Sequence, residues 1–177
     1  IDTLRSNNEK SGNVYIPQGW QAGFSFQRPD HWMITADYAV RNWASYSSFN
    51  NFDRLSNDRK ISCGMMWVPD INAGAAFVKK EGRTMKNYMK MVEYRAGYKN
   101  YQTYLMVNGN QVIEQSYHVG AGFPVQRASR GEIAKVNFSA AYINRGSILN
   151  GMVQEQFFRL MVGVTFSDTW FIKRKIY

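Results

Sequence analysis

From Phe158 to Phe166 the chain alternates strictly: Phe158, Leu160, Val162, Val164 and Phe166 fall on one parity, and Arg159, Met161, Gly163 and Thr165 on the other. A period of two predicts a β-strand with one strongly apolar face and one small or polar face. The pattern recurs upstream. Segment 19–28 sets Trp20, Ala22, Phe24 and Phe26 against Gln21, Gly23, Ser25 and Gln27, and segment 31–43 sets Trp32, Ile34, Ala36, Tyr38 and Val40 against Met33, Thr35, Asp37, Ala39 and Arg41. Arg28-Pro29-Asp30 makes a tight turn between them, which predicts a hairpin with matched apolar faces. Segment 60–68 carries Ile61, Cys63, Met65 and Trp67 opposite Ser62, Gly64 and Met66. Segment 91–107 carries Val92, Tyr94, Ala96 and Tyr98 opposite Glu93, Arg95, Gly97 and Lys99. Asn108-Gly109-Asn110 is a strong hairpin signal. The return segment, 112–124, sets Tyr117, Val119, Ala121 and Phe123 against Ser116, His118, Gly120 and Gly122, and is expected to stop at Pro124. Segment 132–143 sets Ala134, Val136, Phe138, Ala140 and Tyr142 against Lys135, Asn137, Ser139 and Ala141. A polar stretch rich in Asn, Ser and Asp separates the second and third strands, and the connection 69–90 has helical spacing weak enough for at most a short helix.

About seven antiparallel strands result, at or above the ~9–11 residues that cross a bilayer. A soluble meander would bury its apolar faces against a second layer, and no segment supplies one. The expectation is therefore an all-β, antiparallel transmembrane β-barrel. Bacterial single-chain barrels have even strand numbers, so an odd count predicts one unseen strand or a share in a larger barrel. With the last strand running toward the periplasm, the turns 28–30 and 125–131 are periplasmic and the loop 45–60 lies outside. The connection 69–90 is then long where a short turn is expected.

Composition is compatible with this. Mean hydropathy of -0.44 would suit a soluble protein, but a barrel meets lipid with only alternate residues. No run approaches the ~20 apolar residues of a membrane helix. Aromatics reach 15%, as interfacial girdles require, and only 4 prolines interrupt the ladders. The net charge of +9 is dispersed, with Lys79, Lys80, Arg127 and Arg130 in turns, so no nucleic-acid surface is expected. Residues 173–177 read as a basic periplasmic tail. Cys63 is the single cysteine, a small hydrophobe outside any disulfide framework. The chain begins Ile1-Asp2-Thr3, as a mature secreted protein or a fragment would.

The candidate chemistry lies on the polar parity, where Asp37, Arg41, Glu93, Arg95, Lys99, His118, Lys135, Glu155 and Arg159 should face the lumen. Such charges could form a conduit or an ion-paired gate, but mutual neutralisation in a packed barrel is the simpler reading. His31 and His118 lack neighbours at metal-ligand spacing, so neither a metal nor a cofactor is expected. Ser116 and His118 share a parity with Glu114, yet no oxyanion hole is evident, so the chain reads as non-enzymatic, with an outer-membrane lipase or esterase using His118 as a third reading. Gly97, Gly120, Gly122 and Gly163 resemble no phosphate loop and permit curvature or close packing. Trp20, Trp32, Trp67, Tyr94, Tyr117, Phe138, Phe158, Phe166 and Trp170 are expected to meet lipid or the interfaces, and Trp43 to join them unless it serves sugar stacking in an outer loop.

The blocks Trp32-Met-Ile-Thr-Ala-Asp-Tyr38, Trp43-Ala-Ser-Tyr46, Tyr94-Arg-Ala-Gly97, Gly120-Ala-Gly-Phe-Pro124 and Trp170-Phe-Ile-Lys-Arg-Lys175 together resemble the C-terminal half of FadL-like outer-membrane proteins of the Bacteroidota, from about Gly12 onward. The resemblance implies half of a 14-stranded barrel in the outer membrane of a Gram-negative bacterium. It further implies passage of hydrophobic small molecules, with a ligand such as a fatty acid. No ligand-binding residue carries over, because the family's N-terminal plug has no counterpart here. Barrels of this type also serve as accessory or scaffold subunits of outer-membrane assembly and secretion complexes, with lipid and other subunits as partners. The competing class is a soluble secreted β-sandwich or lipocalin-like binding protein.

Overall fold

A computed structural model of the chain describes residues 13–29, 31–48, 55–70, 84–126, 133–148 and 153–167. Among the described residues, nine strands and two short helices follow one another as β1 (Val14–Tyr15), β2 (Gly19–Arg28), β3 (Trp32–Arg41), a 3-10 turn (Trp43–Ser45), β4 (Ser47–Ser48), β5 (Asp58–Trp67), α1 (Met85–Met91), β6 (Glu93–Val107), β7 (Asn110–Gln126), β8 (Ile133–Arg145) and β9 (Glu155–Ser167). Seven strands form one antiparallel meander in the order β2-β3-β5-β6-β7-β8-β9, and β1 pairs with β4 beside it.

Register carries the alternation across the whole sheet. Phe26, Ile34, Met65, Ala96, Val119, Ala140 and Leu160 are successive partners on one face, and Trp67, Tyr94, Ala121, Phe138 and Val162 on the row beside them. A slip of one residue at any junction would have moved a strand's apolar set to the other side. The faces differ in exposure in the sense opposite to a soluble sheet. The most buried strand residues, Ala39, Asp58, Thr103, Ser116, Ala141 and Ile143, all sit on the polar parity, while Phe158, Leu160 and Phe166 stand about 80% exposed.

The β6–β7 turn has Asn108 at φ 49° and Gly109 at φ 77°, two successive left-handed residues that match the right-handed twist of the flanking strands. A bulge between Gln102 and Met106 then shifts the register. There Thr103 Oγ1 donates to the Val112 carbonyl at 2.8 Å, and the Gln111 amide donates to the carbonyls of Thr103 and Asn57 at 2.7 Å each.

Several expectations are corrected. The sheet is open: β2 and β9 each pair on one side only, so the described strands do not close a barrel. β7 does not stop at Pro124 but runs to Gln126. The ladder to β6 begins at Glu93 opposite Gly122, so beyond Gly122 that side of β7 has no strand to receive an N–H. Proline is tolerated there, and the Pro124 carbonyl accepts instead from Tyr88 Oη of α1 at 3.1 Å. Val92 is not on the apolar strand face; it caps α1 and is fully buried. The loop expected at 45–60 carries β4, and Trp43 lies in the 3-10 turn against Tyr104 and Tyr46, at ring distances of 4.9 and 5.8 Å, rather than on a strand. The short helix anticipated in 69–90 is α1, opened by the Thr84 hydroxyl, which accepts from the Asn87 N–H. Trp170, the tail 173–177, and Lys79, Lys80, Arg127 and Arg130 lie outside the described residues.

Candidate functional site

The polar face holds the candidate residues. Pairing places Asp37, Arg41, Glu93, Arg95, Lys99, His118, Lys135, Glu155 and Arg159 on one side of the sheet. Three of them converge. Glu93 opens β6 and receives the Lys135 ammonium from β8, while Arg95 Nη2 donates to its other oxygen at 2.5 Å. Arg95 Nη1 reaches Asn137 Oδ1 at 3.2 Å, and Asn137 Nδ2 donates to Thr165 Oγ1 of β9 at 3.1 Å.

This network joins β6 to β8 and β9 by passing over β7, and it can do so because β7 contributes glycines there. A Cβ at Gly122 would stand 3.0 Å from Asn137 Oδ1 and 3.3 Å from Glu93 Oε2, and one at Gly120 would stand 3.1 Å from the Phe138 carbonyl oxygen. The glycines on the polar face thus open the path for the ion pairs. Glu93 is only 13% exposed at its side chain, whereas Arg95 and Lys135 retain 44% and 35%. The carboxylate is compensated, and the cations keep part of their water.

A second set lies nearer the opposite end of the strands. Lys99 Nζ pairs with Glu114 Oε1 at 2.7 Å, and Tyr101 Oη donates to the buried Asp58 at 3.1 Å. Ser116, fully buried, lies 3.0 Å from His118 Nε2. With Glu114 held by Lys99, the carboxylate that a triad would need is already engaged.

The remaining candidates stay apart. Asp37 lines a hollow beside edge strand β2 with Gln21, Gly23, Ser25 and Thr35. Arg41 faces Asp58 in register, Glu155 faces Arg145, and Arg159 lies 6.0 Å from the Phe157 ring centroid. Among the described residues no ion pair forms at Asp37, Glu155 or Arg159, and no three His, Cys, Asp or Glu side chains converge as a metal site. Asn137, Thr165, Asp58 and Tyr101 are network members that the charge pattern did not single out. Parity alone marks all four, since Asn137 shares a face with Lys135, Thr165 with Gly163, Tyr101 with Lys99 and Asp58 with Ser62.

On the apolar face the aromatics gather in two sets of cross-strand pairs. Phe26–Trp32, Trp67–Tyr94 and Phe123–Phe138 lie 5.4, 6.0 and 5.7 Å apart toward the end that carries the 28–31 turn. Trp20–Tyr38, Tyr98–Tyr117 and Tyr142–Phe158 lie 5.2, 5.1 and 5.1 Å apart toward the other. Phe166 extends the apolar strip of β9 beyond these pairs.

Comparison with curated proteins and with solved structures returned no match. A family model does match, over residues 1–177, and it is not a FadL model, so the FadL-like assignment and the fatty-acid ligand it implied gain no support from it. The chain belongs to the BamG family.

Proposed function

We propose that the protein is a non-transporting, non-enzymatic wall of a β-barrel that acts as an accessory subunit of the outer-membrane machinery for assembling β-barrel proteins. Membership of the whole chain in the BamG family carries this reading. The architecture supports it. Trp20, Trp32, Trp67, Tyr94, Tyr117, Phe138, Phe158 and Phe166 form an apolar face suited to outer-membrane lipid, and the ion-paired polar face suits a packed interior. The free sides of β2 and β9 need further strands, from the same polypeptide or from a partner, because unpaired edges in lipid are costly. The buried Ser116 and the engaged Glu114 support a structural role for the Ser116–His118 contact.

Conditional depletion of the protein tests the reading. The expected outcome is a several-fold fall in other outer-membrane β-barrel proteins, with fatty-acid uptake unchanged during the same interval. A fall in uptake with normal levels of those proteins would restore the transport reading.

A further inference from the structure

The apolar face is not uniformly filled. Ile34 of β3, Cys63 and Met65 of β5, and Ala96 and Tyr98 of β6 line a hollow of about 390 Å³, whose floor includes Gly64 and Gly97, a register pair. It exists because Cys63 and Ala96 are small where their neighbours are large. Tyr98 is braced by Tyr117 at 5.1 Å, and the Trp67–Tyr94 pair stands on the adjoining row. The hollow is shallow and open along the face, so a chain lying on the sheet would contact Ile34, Met65 and Tyr98 together.

On the same face of β5, beyond Ile61, stands Arg59, exposed, with Val40 and Gln102 as its register partners. Among the described residues no acidic side chain pairs with it. Between Arg59 and the hollow, the row of Ile61 continues on β6 to β9 as the amides Asn100, Gln115, Asn144 and Gln156. From Arg59 to Met65 is roughly 20 Å of strand. A guanidinium at one end and an apolar hollow at the other match a phosphate headgroup and an acyl chain, and the fork geometry of arginine favours phosphate. With β9 running toward the periplasm, Arg59 is at the outer-leaflet end.

We propose that Arg59 and this hollow bind a phosphorylated acyl glycolipid of the outer leaflet, of lipid A chemistry, with phosphate on Arg59 and an acyl chain between Met65 and Tyr98. The proposal rests on the reading of the apolar face as lipid-facing.

Native mass spectrometry of the full-length protein, released from detergent with diphosphoryl lipid A, its dephosphorylated form or phosphatidylethanolamine, tests it. The wild type is expected to retain one diphosphoryl lipid A in preference to the other two. Ala96→Leu, which fills the floor, should lower retention about tenfold, and Arg59→Gln should lower it about tenfold while abolishing the preference for the phosphorylated form. Val164→Ala, on β9 and outside the hollow, should bind as the wild type does. Equal retention by all variants, or a wild type that prefers either other lipid, overturns the site. Heat-modifiability of each variant is read in parallel. A wild type that shows no heat shift overturns the membrane reading itself, whereas a normal shift with unselective lipid retention overturns the site alone.

Discussion

Replacing Val162 by arginine separates a lipid-facing sheet from a water-facing one, because the two readings predict different costs. Val162 is the middle member of the apolar strip from Phe158 to Phe166 and is 69% exposed. Eight residues of antiparallel strand span roughly 27 Å, and a tilt of about 40° reduces this to about 21 Å along the membrane normal, close to the ~25 Å apolar band of known barrels. On the lipid-facing reading Val162 lies near the midplane, where arginine costs about 2–4 kcal/mol. That corresponds to roughly 30- to 700-fold in the folding equilibrium. Phe166→Arg, at the rim, should cost only about 0–1 kcal/mol. The assay is reversible urea unfolding of the full-length protein in phospholipid vesicles, followed by tryptophan fluorescence. If the face were wet, both substitutions would stay within about 0.5 kcal/mol of wild type, as exposed positions do. A flat response of that kind would refute the membrane argument.

Glu93→Gln should destabilise the protein by about 2 kcal/mol, since it weakens two charge-assisted hydrogen bonds whose cations are partly exposed and screened; Asp37→Asn, with no ion pair among the described residues, should change urea stability by less than about 0.5 kcal/mol. A double-mutant cycle of Glu93→Gln with Lys135→Met should give a coupling of at least about 0.5 kcal/mol, and additivity would show that the ion pair contributes nothing. Gly109→Ala places a side chain at φ 77° in the β6–β7 turn and should cost about 1–2 kcal/mol by thermal unfolding, whereas no loss would show that the turn is not held in this form. His118→Gln should leave any esterase activity of the purified protein at the blank level of the wild type, and loss of a real wild-type activity would expose a catalytic role.

The seven long strands, the faces they present and the β6–β7 turn are legible in the residues, because a period of two and an Asn-Gly pair act locally and need no partner to be read. The candidate charges share one face by the same local alternation. That alternation does not settle which charges meet. Glu93 and Lys135 lie on strands separated by β7, and only the register, with Gly122 opposite Glu93 and Asn137 opposite Gly122, brings them together. The end of β7 was misjudged for a similar reason: a proline breaks a ladder only where a neighbour awaits its N–H, and the start of β6 removes that neighbour. Val92 continues the strand alternation in the sequence but caps α1, and Trp43, which breaks the alternation by falling on the polar parity of its segment, packs beside Tyr104. Local periodicity fixes which side of a strand a residue occupies, whereas contacts between strands depend on pairing over long separations in sequence and appear only once the sheet is assembled.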